Sequence, residues 1–308
     1  MTKRTKFTFI DLFAGIGGMR LAFEQADGKC VFSSEWDKFA QLTYQSNFGE
    51  IPHGDITKIS SNEIPKFDVL LAGFPCQPFS TIGKRQGFAH PTQGTLFHDV
   101  ARIMRDKKNR SFLLENVAGL RNHDDGRTLR IIENTLTELG YTYDYKVLDA
   151  ADFGVPQHRS RIYIVGFKSR RGGRREFNWP EGNKNHVAIG EFIQTGVKDH
   201  SISKHLQKVY MFKKKDGRPQ VVDSSTSEPA KTLVATYHKI QRLTGTFVSD
   251  GETGLRLLTA DECKSIMGFP PNFEIPVSRT QMYRQMGNSV AVPVVSAIAK
   301  RMIKEFQI

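Results

Sequence analysis

Residues 73–80 read GFPCQPFS, which sets a cysteine directly after a proline, and Glu115-Asn116-Val117 begins thirty-nine residues beyond Cys76. That pairing points to covalent chemistry on a cytosine ring. Carbon 5 of cytosine is too electron-poor to attack a methyl donor, so a nucleophile must first add at carbon 6 and make carbon 5 enamine-like. A thiolate is the natural choice. An isolated cysteine is more often a buried, inert thiol. The loop position of Cys76 and the Gln77-Pro78-Phe79-Ser80 that follows it argue for the reactive reading.

The elements that must carry these residues are legible nearby. FDVLLAG, residues 67–73, is a short apolar run closed by glycine and proline, as a buried parallel strand would be. Cys76 then falls just past the carboxyl end of a strand, where open α/β sheets place their chemistry. From Lys6 to about Phe167 short apolar runs alternate with amphipathic stretches, which predicts a parallel sheet with crossover helices. Strands are expected in FTFID, CVFSS, DVLLAG, SFLLE, YDYKVLD and RIYIVGF. Helices are expected over about 18–25, 38–47, 95–107 and 128–139. The basic segment KSRRGGRR, residues 168–175, breaks this rhythm and is the best boundary candidate, although such charge runs are often only solvated. From about 178 to 273 the alternation is lost, and short β-like runs such as KTLVATY and TGTFVSD suggest a smaller, loop-rich domain. A helix ending at Gly268 follows, and residues 290–306 predict a terminal helix with Pro293 in its first turn, packed back on the first domain. The expected division is 1–177, 178–273 and a returning segment 274–308.

The chain has 308 residues and a formal net charge of +12, which suggests a polyanionic partner, nucleic acid in preference to an anionic membrane surface. No apolar stretch approaches the roughly 20 residues that span a bilayer, so a cytoplasmic protein without membrane contact is expected. Cys30, Cys76 and Cys263 show no Cys-x-x-Cys spacing, and the nine histidines are scattered. Neither a disulfide framework nor a metal site is indicated.

FIDLFAGIGG, residues 9–18, reads as a strand, a glycine turn and a helix that let a ligand approach the backbone closely. A dinucleotide fingerprint starting at Gly15 would need glycine at position 20, where Arg20 stands; this counts against NAD. Glu35 lies where an acidic side chain accepts hydrogen bonds from ribose hydroxyls, and Trp36 offers a flat face to adenine. Asp55 and Ile56 are expected to end a third strand, read the adenine amino group and cover the ring. Singly, Asp55 is a turn residue and Trp36 a core residue. As an ordered set they suggest a nucleoside ligand without a pyrophosphate, best fitted by S-adenosylmethionine.

These segments together resemble the C5-cytosine DNA methyltransferases, especially the small bacterial modification enzymes of restriction systems. The matching series is DLFAGIGG, Glu35-Trp36, Gly54-Asp55-Ile56, GFPCQPFS, Glu115-Asn116-Val117, QHRSRIY at 157–163, RLLTADECKSIMGFP at 256–270 and GNSVAVPVV at 287–295. The resemblance covers nearly the whole chain. It implies an α/β, class I S-adenosylmethionine-dependent methyltransferase fold, Rossmann-like, with a smaller target recognition domain. It implies Cys76 as the nucleophile, Glu115 as the group that binds ring nitrogen 3 and the exocyclic amine, and Arg161 on the cytosine carbonyl oxygen with Arg159 near the site. Phe13, Gly15, Gly17, Gly18, Glu35, Trp36, Asp55, Ile56, Pro75 and Asn288 would line the cofactor pocket. Residues 80–94 resemble the family's active-site loop, from which Ser80, Ile82, Lys84 and Arg85 would meet double-stranded DNA around a flipped base. Thr232-Leu233 matches the recognition-domain signature, and Thr232 with Tyr237, Lys239 and Arg242 is expected to contact DNA. Lys213, Lys214, Lys215 and Arg218 would hold phosphates or nothing. A monomer is expected, since one active site methylates one strand at a time. A tRNA methyltransferase on the same fold and a catalytically inactive DNA-binding homologue are the alternatives. The intact Cys76, Glu115 and Arg161 set argues against the second.

Overall fold

The computed structural model describes residues 6–75, 96–169 and 172–306. Elements follow in the order β1 (Phe7–Leu12), α1 (Gly18–Glu24), β2 (Gly28–Ser34), α2 (Lys38–Phe48), β3 (Val69–Gly73), α3 (Leu96–Lys107), β4 (Ser111–Val117), α4 (Arg127–Glu138), β5 (Tyr141–Asp149), β6 (Ser160–Lys168) and β7 (Gly173–Arg174). After them come α5 (Lys204–Leu206), β8 (Gln220–Val222), β9 (Thr246–Val248), α6 (Ala260–Met267), α7 (Arg279–Asn288) and α8 (Val292–Phe306). Strands β1 to β7 form one sheet in the order β2-β1-β3-β4-β6-β5-β7. The strands of its centre are apolar on both faces because both are covered. Phe9, Val69, Leu71, Leu113, Tyr163 and Val165 face a cluster shared with α1, α6, α7 and α8. Their neighbours Ile10, Leu70, Phe112, Leu114, Ile162 and Ile164 face a second cluster with α3 and α4. This period-two division places the sheet between two helical layers.

The sheet is mixed rather than wholly parallel. Strand β6 runs antiparallel to both β4 and β5. No crossover helix joins β5 to β6; the chain turns back through a 3-10 turn over Ala150–Phe153, and a short return can only pair strands in opposite senses. The reversal matters for the site. It brings the first residues of β6 to the edge where β1, β2, β3 and β4 end, with Arg161 opposite Val117 and Tyr163 opposite Glu115.

Two further expectations are corrected. The HGDIT segment is not a third strand: His53 forms an isolated bridge to Ser34, and Asp55 caps a 3-10 turn over Ile56–Lys58. KTLVATY is not a strand either; only Ala230, just before it, bridges to Gln157, and a 3-10 turn occupies Tyr237–Lys239. TGTFVSD does contain β9, which pairs in parallel with β8. The KSRRGGRR segment contributes β7 to the main sheet beside β5. Helices α1 to α4 lie within a residue or two of their expected spans. Helix α8 packs on α1, where Ser296 Oγ meets Gln25 Oε1 at 2.9 Å. Among the described residues no helix is long and apolar enough to cross a membrane.

Candidate active site

The turn after β1 is built for close approach. Gly17 has φ +85°, and a Cβ there would stand 2.2 Å from Phe48 Cε2, so glycine alone lets α1 start against α2. Gly18 packs against Ser289, whose Oγ would lie 2.8 Å from an added Cβ. Phe13 is held at φ 56°, a left-handed conformation that costs a bulky residue on the order of 1–3 kcal/mol and clusters at functional sites.

Glu35 leaves β2 directly beside this turn. Its Oε2 accepts the Gly15 N–H at 2.8 Å, and its Oε1 accepts the Asp37 N–H at 2.8 Å. The residue is buried, and loss of water raises its pKa against the pull of those backbone donors. Each carboxylate oxygen keeps a further lone pair for a hydroxyl donor. Trp36, next in the chain, is 75% exposed. A large apolar ring left in solvent at the mouth of a cavity suits a stacking surface better than a core role.

That cavity measures about 380 Å³ and is lined by Phe13, Glu35, Trp36 and Pro75 together with Glu115, Arg161 and Asn288. A second space of about 210 Å³ shares Phe13, Glu35 and Trp36 and is completed by Asp55 and Ile56. Nine of the ten residues expected to hold the cofactor, all but Gly17, therefore line this connected region or its deeper recess under Gly18. Gly17 serves by shaping the turn. Asp55 also has the structural role anticipated for a turn residue. Its Oδ1 accepts from Thr57 N and Oγ1 at 3.0 and 2.7 Å, and the Thr57 hydroxyl chiefly holds its pKa low.

The chemical end of the cavity is formed by Glu115 from β4 and Arg161 from β6, whose Nε lies 3.2 Å from Glu115 Oε1. Both side chains are nearly enclosed. Burial raises the Glu115 pKa, and Arg161 and then Arg159 pull it back down. A carboxyl of raised pKa beside a guanidinium can donate to, or accept from, a heteroaromatic ring edge in a dry site. Arg159 is fully enclosed as well, and burial followed by its neighbour Arg161 lowers its pKa to about 9. Arg159 lines the same cavity as Arg161, but its terminal nitrogens are committed to backbone: Nη1 donates to Leu233 O at 3.0 Å and Nη2 to Gly287 O at 2.9 Å and to Ser289 O, while the buried Nε has no partner among the described residues.

Cys76, Ser80, Ile82, Lys84 and Arg85 lie outside the described residues. Pro75, the residue before Cys76, lines the cavity. It is approached through an anchor that the sequence reading passed over. Asn116 Nδ2 donates to Phe74 O at 2.8 Å, while Asn116 Oδ1 accepts the Val117 N–H at 2.8 Å. The signal was available, since Asn116 stands between Glu115 and Val117 in the motif. Gln285 was also missed; it lines the cavity and its Oε1 accepts from Thr43 Oγ1 at 2.9 Å.

The expected DNA contacts after Thr232 need correction. Tyr237 is buried, its hydroxyl donating to Thr246 O and accepting from Leu258 N at 3.1 Å. Arg242 is buried against residues 211–218, with bonds to Met211 O, Lys214 O, Arg218 O and Asp216. Both are committed to internal bonds and present no donor to a base. The Thr232 hydroxyl donates to His158 O at 2.6 Å. Lys239 is exposed, as are Lys213, Lys214, Lys215 and Arg218.

The fold and site define a Rossmann-like methyltransferase, and comparison with known proteins gives the class. Residues 7–304 match the family model of the C-5 cytosine-specific DNA methylases. The chain belongs to that family and is a C5-cytosine DNA methyltransferase. It is 60% identical over 295 residues to the Type II methyltransferase M.MspI of Moraxella sp, covering 96% of this chain and 70% of that one. It is 59% identical over 298 residues to M.BsuFI of Bacillus subtilis, covering 96% and 72%. Among solved structures, S. pombe Dnmt2 methyltransferase superposes with a TM-score of 0.78 at 21% identity, over 98% of this chain and 100% of that one, which is a likeness of fold. Family and fold imply use of S-adenosylmethionine. The paired Glu35 and Trp36 beside the glycine turn fit its ribose and adenine.

Proposed function

We propose that this chain methylates carbon 5 of a cytosine within one short duplex DNA sequence, as the modification half of a restriction-modification system. The observation that carries this reading is that one cavity is lined both by Glu35 and Trp36, suited to a nucleoside, and by the paired Glu115 and Arg161, suited to a base. S-adenosylmethionine supplies an electrophilic methyl group when bound. Glu35 would accept the ribose hydroxyls and Trp36 would stack on the adenine, holding the cofactor in the cavity that Pro75 and Glu115 also line.

The target carbon is inaccessible in a stacked duplex, so the base must turn out into the pocket at a cost of about a few kcal/mol. Glu115 would then bind nitrogen 3 and the exocyclic amine while Arg161 binds the carbonyl oxygen. Both contacts strengthen as charge moves onto the ring. The Cys76 thiolate adds to carbon 6, and the electron pair so released takes the methyl group at carbon 5. Loss of the carbon 5 proton to a base expels the thiolate and restores aromaticity. The positive field of Arg161 and Arg159 favours the thiolate over the thiol.

Support for a DNA-facing surface on the recognition side comes from residues 208–218. Lys208, Lys213, Lys214, Lys215 and Arg218 are exposed together with Tyr210 and Phe212. Arg242 staples the backbone of this loop at Met211, Lys214 and Arg218. We assign phosphate contacts to these cations and leave to Arg242 the role of holding the loop that presents them. A monomer working on one strand at a time, divided at about residues 178 and 273, and a cytoplasmic location accord with this reading. The test is methyl transfer from labelled cofactor to mixed-sequence duplex DNA, with tRNA in parallel and sequencing of the methylated cytosines. Label at cytosine in one short motif is the expected result; label in tRNA alone would overturn the assignment.

A further inference from the structure

The segment Gln157–Arg159, just before β6, grips one residue of the recognition side from two directions. Gln157 is wholly buried. Its Oε1 accepts the Leu233 N–H at 2.7 Å, and its Nε2 donates to Ile266 O at 2.8 Å. Two positions on, Arg159 Nη1 donates to Leu233 O at 3.0 Å. The main chains run side by side here, with His158 N on Ala230 O at 2.9 Å and Ala230 N on Pro156 O at 2.8 Å, and the Thr232 hydroxyl closes the ladder on His158 O. Thr232-Leu233 thus forms a joint to the segment that leads into β6.

The other branch of the Arg159 guanidinium ends on a second segment that lines the cofactor cavity. Nη2 donates to Gly287 O and Ser289 O, the two carbonyls flanking Asn288. One planar group therefore fixes three carbonyls, one on the recognition segment and two on the cofactor segment, in a geometry that its rigid fork enforces. An independent contact joins the same two segments. A Cβ on Gly287 would stand 2.1 Å from Ala235 N and 2.3 Å from Val234 C, so the two backbones touch with no room for a side chain. Tyr237 continues the contact by packing edge-on against Tyr283 of α7, ring centroids 5.0 Å apart.

We propose that Arg159 is a positioning residue that locks the Gly287–Ser289 segment of the cofactor pocket to the Thr232–Ala235 segment of the recognition side, making cofactor affinity and sequence discrimination depend on one guanidinium. The inference rests on the methyltransferase reading above. It differs from a role at the base itself, because the two terminal nitrogens are spent on carbonyls.

The test compares full-length wild type with Arg159→Met, Arg159→Lys and Gly287→Ala on the methylated site and on duplexes altered by one base pair. The anchor predicts that in Arg159→Met the KM for S-adenosylmethionine rises and discrimination between the two duplexes falls, each by about tenfold or more. Lysine, which reaches fewer carbonyls, restores part of both, and Gly287→Ala reproduces both through the second contact. Loss of kcat in proportion to the folded fraction, with KM and discrimination unchanged, overturns the proposal. So does movement of only one of the two quantities. A wild-type chain that methylates no DNA overturns the functional reading itself, whereas an active wild type with unmoved variants overturns the anchor alone.

Discussion

Arg161 Nε stands 3.2 Å from Glu115 Oε1 across two antiparallel strands, and both side chains face the cavity that Pro75 borders. The contact exists because β6 runs against β4. A parallel β6 would carry Arg161 to the far edge of the sheet. The ion pair is preformed, so that a base entering the site meets donors and acceptors already in place.

Replacing Glu115 by Gln removes the charge that Arg161 opposes and, on the proposed mechanism, the acid that would bind the ring. Single-turnover methyl transfer is expected to fall by about 10²–10³-fold, the scale of one transition-state contact. Near wild-type turnover would remove Glu115 from the chemistry.

The same variant has a pH signature. Burial on folding raises the Glu115 pKa above its ordinary carboxylate value, so the folded state binds the proton more tightly than the unfolded chain. The carboxyl's contribution is most favourable below about pH 4.5 and declines as pH rises through the raised folded value. Wild type should therefore lose stability relative to Glu115→Gln across that window and run parallel to it above. Melting temperatures of both proteins between pH 4 and 8 measure this, and a gap that moves the other way contradicts the burial account.

Trp36→Ala and Glu35→Ala separate cofactor binding from folding. Trp36 is 75% exposed, so its loss should leave stability within about 0.5 kcal/mol while weakening cofactor binding, since stacking of a base on an aromatic ring contributes about 1–3 kcal/mol. Glu35→Ala should raise the dissociation constant for the cofactor by about 10- to 100-fold, as loss of hydrogen bonds to a charged group implies. Calorimetric titration with S-adenosylhomocysteine reads both.

Tyr237→Phe removes a hydroxyl that bonds Thr246 O and Leu258 N inside the protein. A melting temperature lowered by the equivalent of about 1–3 kcal/mol, with the methylated sequence unchanged, is expected. A changed sequence preference would return Tyr237 to the DNA interface.

Legibility followed the range of the physics. The glycine turn, Glu35, Trp36 and the helices were readable because they depend on spacing within a few residues. Their order along the chain located the cofactor cavity. Strand β6 was recognised as a strand but not as antiparallel, since its direction depends on a short return and on which neighbour it meets. Tyr237 and Arg242 looked like contacts because their types suit nucleic acid. Their burial depends on partners far apart in sequence, such as Met211, 31 residues before Arg242, and Tyr283, which packs on Tyr237. Arg159 illustrates the same limit: its motif places it near the site, but its carbonyl partners lie 74 to 130 residues distant in sequence.

The central claim is transfer of a methyl group to carbon 5 of cytosine in duplex DNA. It is tested most directly by incubating the full chain with unmethylated duplex and labelled S-adenosylmethionine, then digesting the product to nucleosides. The account predicts label in 5-methyldeoxycytidine, confined to one short sequence and abolished in Cys76→Ala. Label on another base or at another cytosine atom, or undiminished transfer by Cys76→Ala, would contradict it.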